Sequence, residues 1–379
     1  MIYKLSDNII SPLGFTSTEN YESVKKSKTE LQIYENKFEI AEPFVASILD
    51  VEKIDTEFSK LQQKISYTKL EKIAILSVHN ALLNTNIDPS DSSVLFVFST
   101  TKGNVELLEN NTKYEPERIH LWRSAELIAD YFNNRNEVVV VSNACISGVA
   151  AQIAAARYLD SERYKYVIVV GAEVLSKFIV SGFQSFKALS PKRCKPFDKN
   201  RTGLNLGEAA ATIIYSKANS ETELSPKSFV LEKGEIRNDA NHISGPSRTA
   251  EGLFNAIETV MNGTDKENLS FINAHGTATP YNDDMESVAI ERHKMNNIPV
   301  NSLKSYFGHT LGAAGVLETI ISAHALNYEV ILGNKGFDEI GVVNQINICR
   351  ETKKSSKKQF LKLISGFGGS NAVLLGKKI

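Results

Sequence analysis

Residues 138–159 read VVVVSNACISGVAAQIAAARYL: four valines, a short polar turn holding one cysteine, and an alanine-rich run. Consecutive β-branched residues favour a strand. Alanine with other small residues at helical spacing favours a helix. Residues 299–326, PVNSLKSYFGHTLGAAGVLETIISAHAL, follow the same plan with a histidine in the turn. A strand, a tight turn bearing one reactive residue and a small-residue helix thus occur twice, which reads as an internal duplication. Alanine and glycine at this density imply close backbone approach, so both helices are placed at the centre of the molecule.

Working outward, the apolar runs Ser93–Ser99, Tyr166–Gly171 and Ala210–Tyr215 read as strands. So do Leu269–Ala274, Lys362–Ser365 and Ala372–Leu375 in the later part of the chain. Strands alternating with helical patterns predict an α/β fold with a mostly parallel sheet covered by helices. The two halves are placed at 1–222 and 223–379, meeting in the polar stretch Ser220–Pro226. The polar segments Glu52–Lys69 and Glu106–Arg118 are expected to run around the core.

Composition narrows the class. With 379 residues, 42% hydrophobic and 23% charged, the chain can bury a large core. A formal net charge of -1 gives no bulk attraction to nucleic acid or to an anionic membrane. The basic run Lys353, Lys354, Lys357 and Lys358 reads as a solvated surface turn. Three scattered cysteines support neither a disulfide framework nor a zinc site, and no metal or cofactor is expected. Neither a signal peptide nor an apolar run of about 18 residues is found, so a cytoplasmic setting with a free thiol is expected.

Four segments carry chemistry. Cys145 lies at a strand-to-helix turn, where free N–H groups and the helix dipole favour a thiolate. His275 follows a strand and opens His275-Gly-Thr-Ala-Thr279, and His309 occupies the turn before the second central helix, with Lys304 upstream. Asp283 and Glu286 are suited to bonding backbone donors or a helix start. Ser365-Gly-Phe-Gly-Gly-Ser-Asn371 is a glycine-rich turn that can present N–H groups to an oxyanion. Read singly, each has a plain structural alternative: an inert buried thiol, a turn-capping histidine, a hairpin turn. Together they suit acyl transfer onto a thiol followed by enolate chemistry, for which a cysteine protease would have one histidine too many.

In this order the segments resemble the thiolase-fold β-ketoacyl-acyl-carrier-protein synthases, the elongating kind with a Cys-His-His centre. The resemblance rests on Ser11-Pro-Leu-Gly14, Asn143-Ala-Cys-Ile-Ser-Gly148, Pro196–Gly203 with Gly207-Glu208, and His275–Thr279 with Asp283 and Glu286. It continues in Lys304, Gly308–Gly315 with Glu318, and Gly366–Asn371. It implies two similar halves packed as a five-layer α-β-α-β-α sandwich. It also implies that Cys145 accepts the acyl chain, while His275 and His309 bind the malonyl carbonyl and assist decarboxylation. Lys304 with Glu318 would set the electrostatics near His275, and Asp283, Thr277 and Thr279 would support the site. The N–H groups of Cys145 and Phe367 would form the oxyanion hole, and Phe367 would gate the acyl entrance. The implied partners are acyl carrier protein loaded with acyl or malonyl groups, and a second subunit, either a copy of this chain or a chain-length factor.

The chain departs from the family pattern at Leu204, Asn282, Tyr306, Phe307 and Ser365, and no glycine-rich first strand opens it. These changes are expected around the acyl pocket and favour a specialised aryl-polyene or polyketide-like pathway over housekeeping fatty-acid elongation. Three other identities call for different residues. A non-catalytic chain-length partner would lack the cysteine, a thiolase would carry a second cysteine in the glycine loop, and a starter-type synthase would have Asn where His309 stands.

Overall fold

The computed structural model describes residues 1–109, 113–217 and 229–379. The expected junction at Ser220–Pro226 lies outside the described residues. Ten strands form one sheet, in the order Val300–Asn301, Leu269–Asn273, Gln359–Gly366, Ser370–Lys378, Phe229–Asn238, Ile2–Ile10, Ala209–Ser216, Tyr166–Glu173, Val94–Ser99 and Val139–Val141. It divides at its middle into two runs of five, joined among the described residues by the ladder pairs Ile2 with Leu231 and Tyr3 with Val230.

Numbered by chain order within its own run, each run reads 1-5-4-2-3 outward from the middle. The pairings agree as well: antiparallel, antiparallel, parallel, parallel. The duplication seen in the sequence is therefore a repeated topology. The expected predominance of parallel pairing is corrected, because the sheet is mixed. In each run the last strand returns antiparallel and inserts beside the first, as Ser370–Lys378 does after its tight turn.

Buried side chains define the layers. Within Val94–Ser99, Leu95 and Val97 face one cluster while Phe96 and Phe98 face another. A strand covered on both faces in this way reads as an unbroken apolar run, as the sequence showed. Helices Lys69–Leu82 and Leu121–Tyr131 cover the outer face of the first run. Glu251–Met261 and Pro280–Arg292 cover that of the second. Between the runs lie Ser147–Asp160 and Leu311–Asn327, the latter buried from Leu311 to Leu326. Helix, sheet, helix, sheet, helix are the five layers. At the crossing of the two central helices, a Cβ on Gly148 would lie 2.8 Å from the Val316 nitrogen and 2.9 Å from the Gly312 oxygen. Only hydrogen fits there.

Three readings change. A first strand is present, Ile2–Ile10, without glycine. Its polar residues hid it from pattern reading, and they are buried by pairing: Lys4 with Asp7, and His324 Nε2 with Asp7 at 3.2 Å. Glu52–Lys69 is not merely peripheral, because helix Val51–Ser59 lies in it and buries Ile54 and Phe58. Lys353 and Lys354 form a short strand paired with Val330–Ile331, and all four lysines of the basic run are exposed as expected.

Candidate active site

Cys145 immediately precedes the N-cap residue of helix Ser147–Asp160. Ala144 takes φ of 45°, in the left-handed region, and this bend turns the chain from the strand Val139–Val141 into the helix. Ser147 locks the bend: its hydroxyl accepts from the Asn143 N–H at 2.8 Å and donates to the Ala144 carbonyl at 2.6 Å.

His275 leaves the strand Leu269–Asn273, and a carboxylate holds its backbone. Glu286 accepts the N–H of His275 at 2.6 Å and that of Gly276 at 2.7 Å. Asp283 accepts from Phe197 at 2.7 Å and from Ala278 at 3.2 Å. Burial raises Asp283 to about 6 against these donors, and it raises Glu286 as well. Both acids thus bond backbone donors, as their spacing suggested. Asn282 adds a bond to Glu286 at 3.0 Å.

His309 is fixed from two sides. Its N–H donates to the Asn205 carbonyl at 2.6 Å, and its carbonyl accepts from Gly207 at 3.0 Å. Gly308, at φ 73°, stands against the Leu206 carbonyl, where any Cβ would overlap it. The ring Nδ1 accepts the Leu311 N–H at 3.2 Å, which puts the ring proton on Nε2.

The three side chains meet. The Cys145 sulfur and the ring nitrogens lie within 4.8 Å of one another, and the imidazoles sit edge to face with centroids 5.0 Å apart. Cys145 is 7% exposed, His275 3% and His309 1%. Among the described residues, His275 Nδ1 and His309 Nε2 have no hydrogen-bond partner. A sulfur and two imidazole nitrogens are also donors that soft divalent metals accept.

Electrostatics settle the protonation states. Burial pushes the Cys145 thiol up to about 11, against the opposing pull of Lys304, Lys102 and the Phe367 backbone. The expected thiolate preference is therefore overridden, and the closed site holds a thiol. Burial, and then Lys304, hold both imidazoles well below their usual range, so both are neutral. Beneath them, Lys304 pairs with Glu318 Oε1, and all of this machinery is buried. Glu318 is driven up by burial, but Lys304 and Lys362 outweigh that and hold it below the usual carboxylate value.

Lys362 escaped the sequence reading as a site residue. It lies in the strand Gln359–Gly366, bonding Glu318 Oε2 at 2.5 Å and the Leu363 carbonyl at 2.9 Å. Its signal was a lone lysine between Phe360-Leu361 and Leu363-Ile364, in a strand whose two faces are both covered.

A cavity of about 570 Å³ opens onto Cys145, His275, His309, Thr277, Thr279 and Phe367. The two threonine hydroxyls lie 2.8 Å apart. Phe367 packs between Phe183 and Phe186, with centroids at 5.9 and 5.3 Å. Leu204 and Ser365 line the cavity as expected, but Tyr306 and Phe307 belong to the central core. The short helix Lys304–Phe307 turns them inward, and the Tyr306 hydroxyl bonds the Gly333 carbonyl at 2.8 Å. Cys194 and Cys349 are buried elsewhere and do not line the cavity. A thiol beside neutral imidazoles, with loop N–H groups close by, can form a covalent acyl intermediate and hold an oxyanion.

A family model described as β-ketoacyl synthase, N-terminal domain, matches residues 16–220, and one described as its C-terminal domain matches residues 229–338. The tetracenomycin polyketide synthase ketoacyl synthase alpha subunit of Streptomyces glaucescens is 27% identical over 375 residues, covering 88% of this chain and 87% of that protein. The 3-oxoacyl-[acyl-carrier-protein] synthase 2 of Coxiella burnetii is 30% identical over 64% of this chain and 62% of its own length. Among solved structures, one chain of the complex of the ketosynthase ApeO with its chain length factor ApeC, from Xenorhabdus doucetiae, aligns with a TM-score of 0.85. That alignment covers 100% of this chain and 98% of that one at 20% identity, a likeness of fold.

Proposed function

The chain belongs to the β-ketoacyl synthase family, and from that membership we propose that it is an active elongating ketosynthase that condenses an acyl group with a malonyl group, both delivered on acyl carrier protein. The observation that carries the proposal is the meeting of Cys145, His275 and His309 within 4.8 Å at the head of a single cavity.

Cys145 attacks the carrier thioester and gives up its proton, the carrier thiol leaves protonated, and the acyl group stays on sulfur. The malonyl thioester then loses carbon dioxide. Its enolate oxygen is held by the imidazole N–H groups, with the His309 Nε2–H fixed in place by the bond at Nδ1. The enolate carbon attacks the acyl carbonyl, and the N–H groups of Cys145 and Phe367 hold the resulting oxyanion until the carbon–sulfur bond breaks and Cys145 leaves as a thiolate, which takes up a proton from solvent. Lys304 and Glu318 hold the charge beneath the rings, Thr277 and Thr279 line the approach, and Phe367 moves to admit the chain. None of these steps calls for a metal or an organic cofactor.

The proposal includes a cytoplasmic setting, two halves at 1–222 and 223–379, and a dimer, either of two copies or with a chain-length factor. Retention of Cys145 supports the active role over that of a chain-length factor, and the absence of Cys194 and Cys349 from the cavity weighs against a thiolase. Among the described residues no helix is long and apolar enough to cross a membrane. Incubation with acyl-loaded carrier followed by mass spectrometry should place the acyl mass on the Cys145 peptide, with β-ketoacyl carrier forming once malonyl carrier is added. A protein that stays unacylated with carriers of every chain length would refute the proposal.

A further inference from the structure

Lys362 has no role in the scheme above, yet it is 0% exposed and shares Glu318 with Lys304. Its strand runs beside the one leading to His275, with Lys362 in register with Asn273. Register partners point to the same face of a sheet, so Lys362 faces the central layer from which Glu318 comes. One carboxylate carries one ammonium on each oxygen, so the two lysines exceed the charge of Glu318 by one; burial lowers Lys362 to about 8, against the pull of Glu318 and of Glu286. A buried charge of that kind is costly to maintain.

We propose that Lys362 is a positioning residue: as the second ammonium on Glu318, it adds positive charge beneath His275 and His309 that, after burial and Lys304, opposes protonation of both rings. This inference rests on the ketosynthase reading for its catalytic meaning, but not for its physical content. Neutrality matters because a second proton on His309 would have to enter at Nδ1, where the Leu311 N–H already sits. The ring would then leave its place, and a protonated His275 could not take the proton from the Cys145 thiol.

The charged and titratable groups around the rings are Lys304, Lys362 and Glu318 beneath, Glu286 and Asp283 behind the His275 backbone, and Cys145 in front. Lys102 and Glu173 act on Cys145 from beyond. The charges of Lys304 and Lys362 both lower the two imidazoles.

Lys362→Met leaves Lys304 and Glu318 balanced. The double variant Lys362→Met/Glu318→Gln leaves Lys304 alone, which restores the net charge while removing the pairing. We expect the acid limb of the condensation pH profile to move up by about one pH unit in the single variant, the size of effect a neighbouring charge exerts. In the double variant it should return toward the parent position. An unshifted limb in the single variant, or a double variant shifted as far as the single, would mean that Lys362 only fills space and would overturn the proposal. If Lys362→Met does not fold, Lys362→Gln, which keeps a donor to Glu318 without the charge, carries the test: a limb displaced upward supports the proposal, and one at the parent position overturns it. Titrating the imidazoles by NMR in histidine-labelled protein reads the same shift without turnover. Loss of the ketosynthase reading would therefore leave this measurement intact.

Discussion

Gly148→Ala tests whether the two central helices set the distance between the cysteine and the histidines. The new methyl would lie 2.8 Å from the Val316 nitrogen and 2.9 Å from the Gly312 oxygen and the Gly315 nitrogen, where ordinary contact begins near 3.4 Å. All three are backbone atoms of the facing segment, so no side chain can swing away. The helices must part by roughly half an ångström, at an overpacking cost of about 1–3 kcal/mol. Alanine's better helix propensity offsets up to about 1 kcal/mol of that, leaving a net loss of about 1–2 kcal/mol. The same shift moves the Cys145 turn away from the His309 turn. A 1 Å misplacement can cost about a hundredfold in rate, so roughly tenfold slower acylation is expected. The assay pairs thermal unfolding with single-turnover acylation followed by mass spectrometry. Gly182→Ala is the control: it lies within helix Lys177–Ser185 with nothing within 4 Å of its Cβ position, and should be neutral or stabilising. If Gly148→Ala matched the parent in both melting and acylation, the argument that the helix crossing positions the site would be wrong.

Four further outcomes are expected. Cys145→Ala should abolish acyl transfer while leaving the fold intact, and residual elongation in that variant would point to another nucleophile. His309→Ala should slow malonyl decarboxylation by about a hundredfold to a thousandfold, since one oxyanion donor is worth about 2.7–4 kcal/mol; normal carbon dioxide release would contradict the two-imidazole scheme. With the Cys145 thiol held up to about 11, iodoacetamide labelling of the free enzyme should be slow at pH 7 and rise about tenfold per pH unit above it. A rate that levels off below pH 9 would show a thiolate already formed. Glu286→Gln should cost about 1–3 kcal/mol in thermal unfolding, because its amide would face a backbone N–H donor. An unchanged melting temperature would show that the clamp contributes nothing.

The parts of the fold that sequence reveals are those where one physical rule acts alone. The helix Leu311–Asn327 is buried from Leu311 to Leu326 and Ser147–Asp160 over most of its length, so their composition met few competing demands, while the half-buried edge strand of valines shows through its β-branching. Cys145 and His275 were visible because each follows an apolar strand, and His309 because it stands in the glycine turn before a small-residue helix, although the short helix Lys304–Phe307 separates it from its strand. The first strand was missed because Lys4 and Asp7 break its pattern, and their burial makes sense only once His324, more than three hundred residues away, is seen beside Asp7. Lys362 was missed for the same reason, because strand alternation treats a lone lysine as solvent-facing. Tyr306 and Phe307 misled in the opposite sense. Proximity in sequence to His309 suggested the acyl pocket, but a single helical turn carries them into the core.

The first strand has a consequence for synthesis. Ile2–Ile10 pairs with Ala209–Ser216 and, through Ile2 and Tyr3, with Phe229–Asn238. At about 5–20 residues per second, a ribosome needs roughly 10–40 s to supply those partners. For that interval a segment ending in Ile9 and Ile10, both fully buried in the finished protein, has nothing to pair with. Unpaired apolar strands recruit wrong neighbours, and charges set within them discourage it. Lys4 and Asp7 supply those charges while the strand waits, and they neutralise each other once it has docked. The residues that hid this strand from pattern reading would thus also guard the nascent chain.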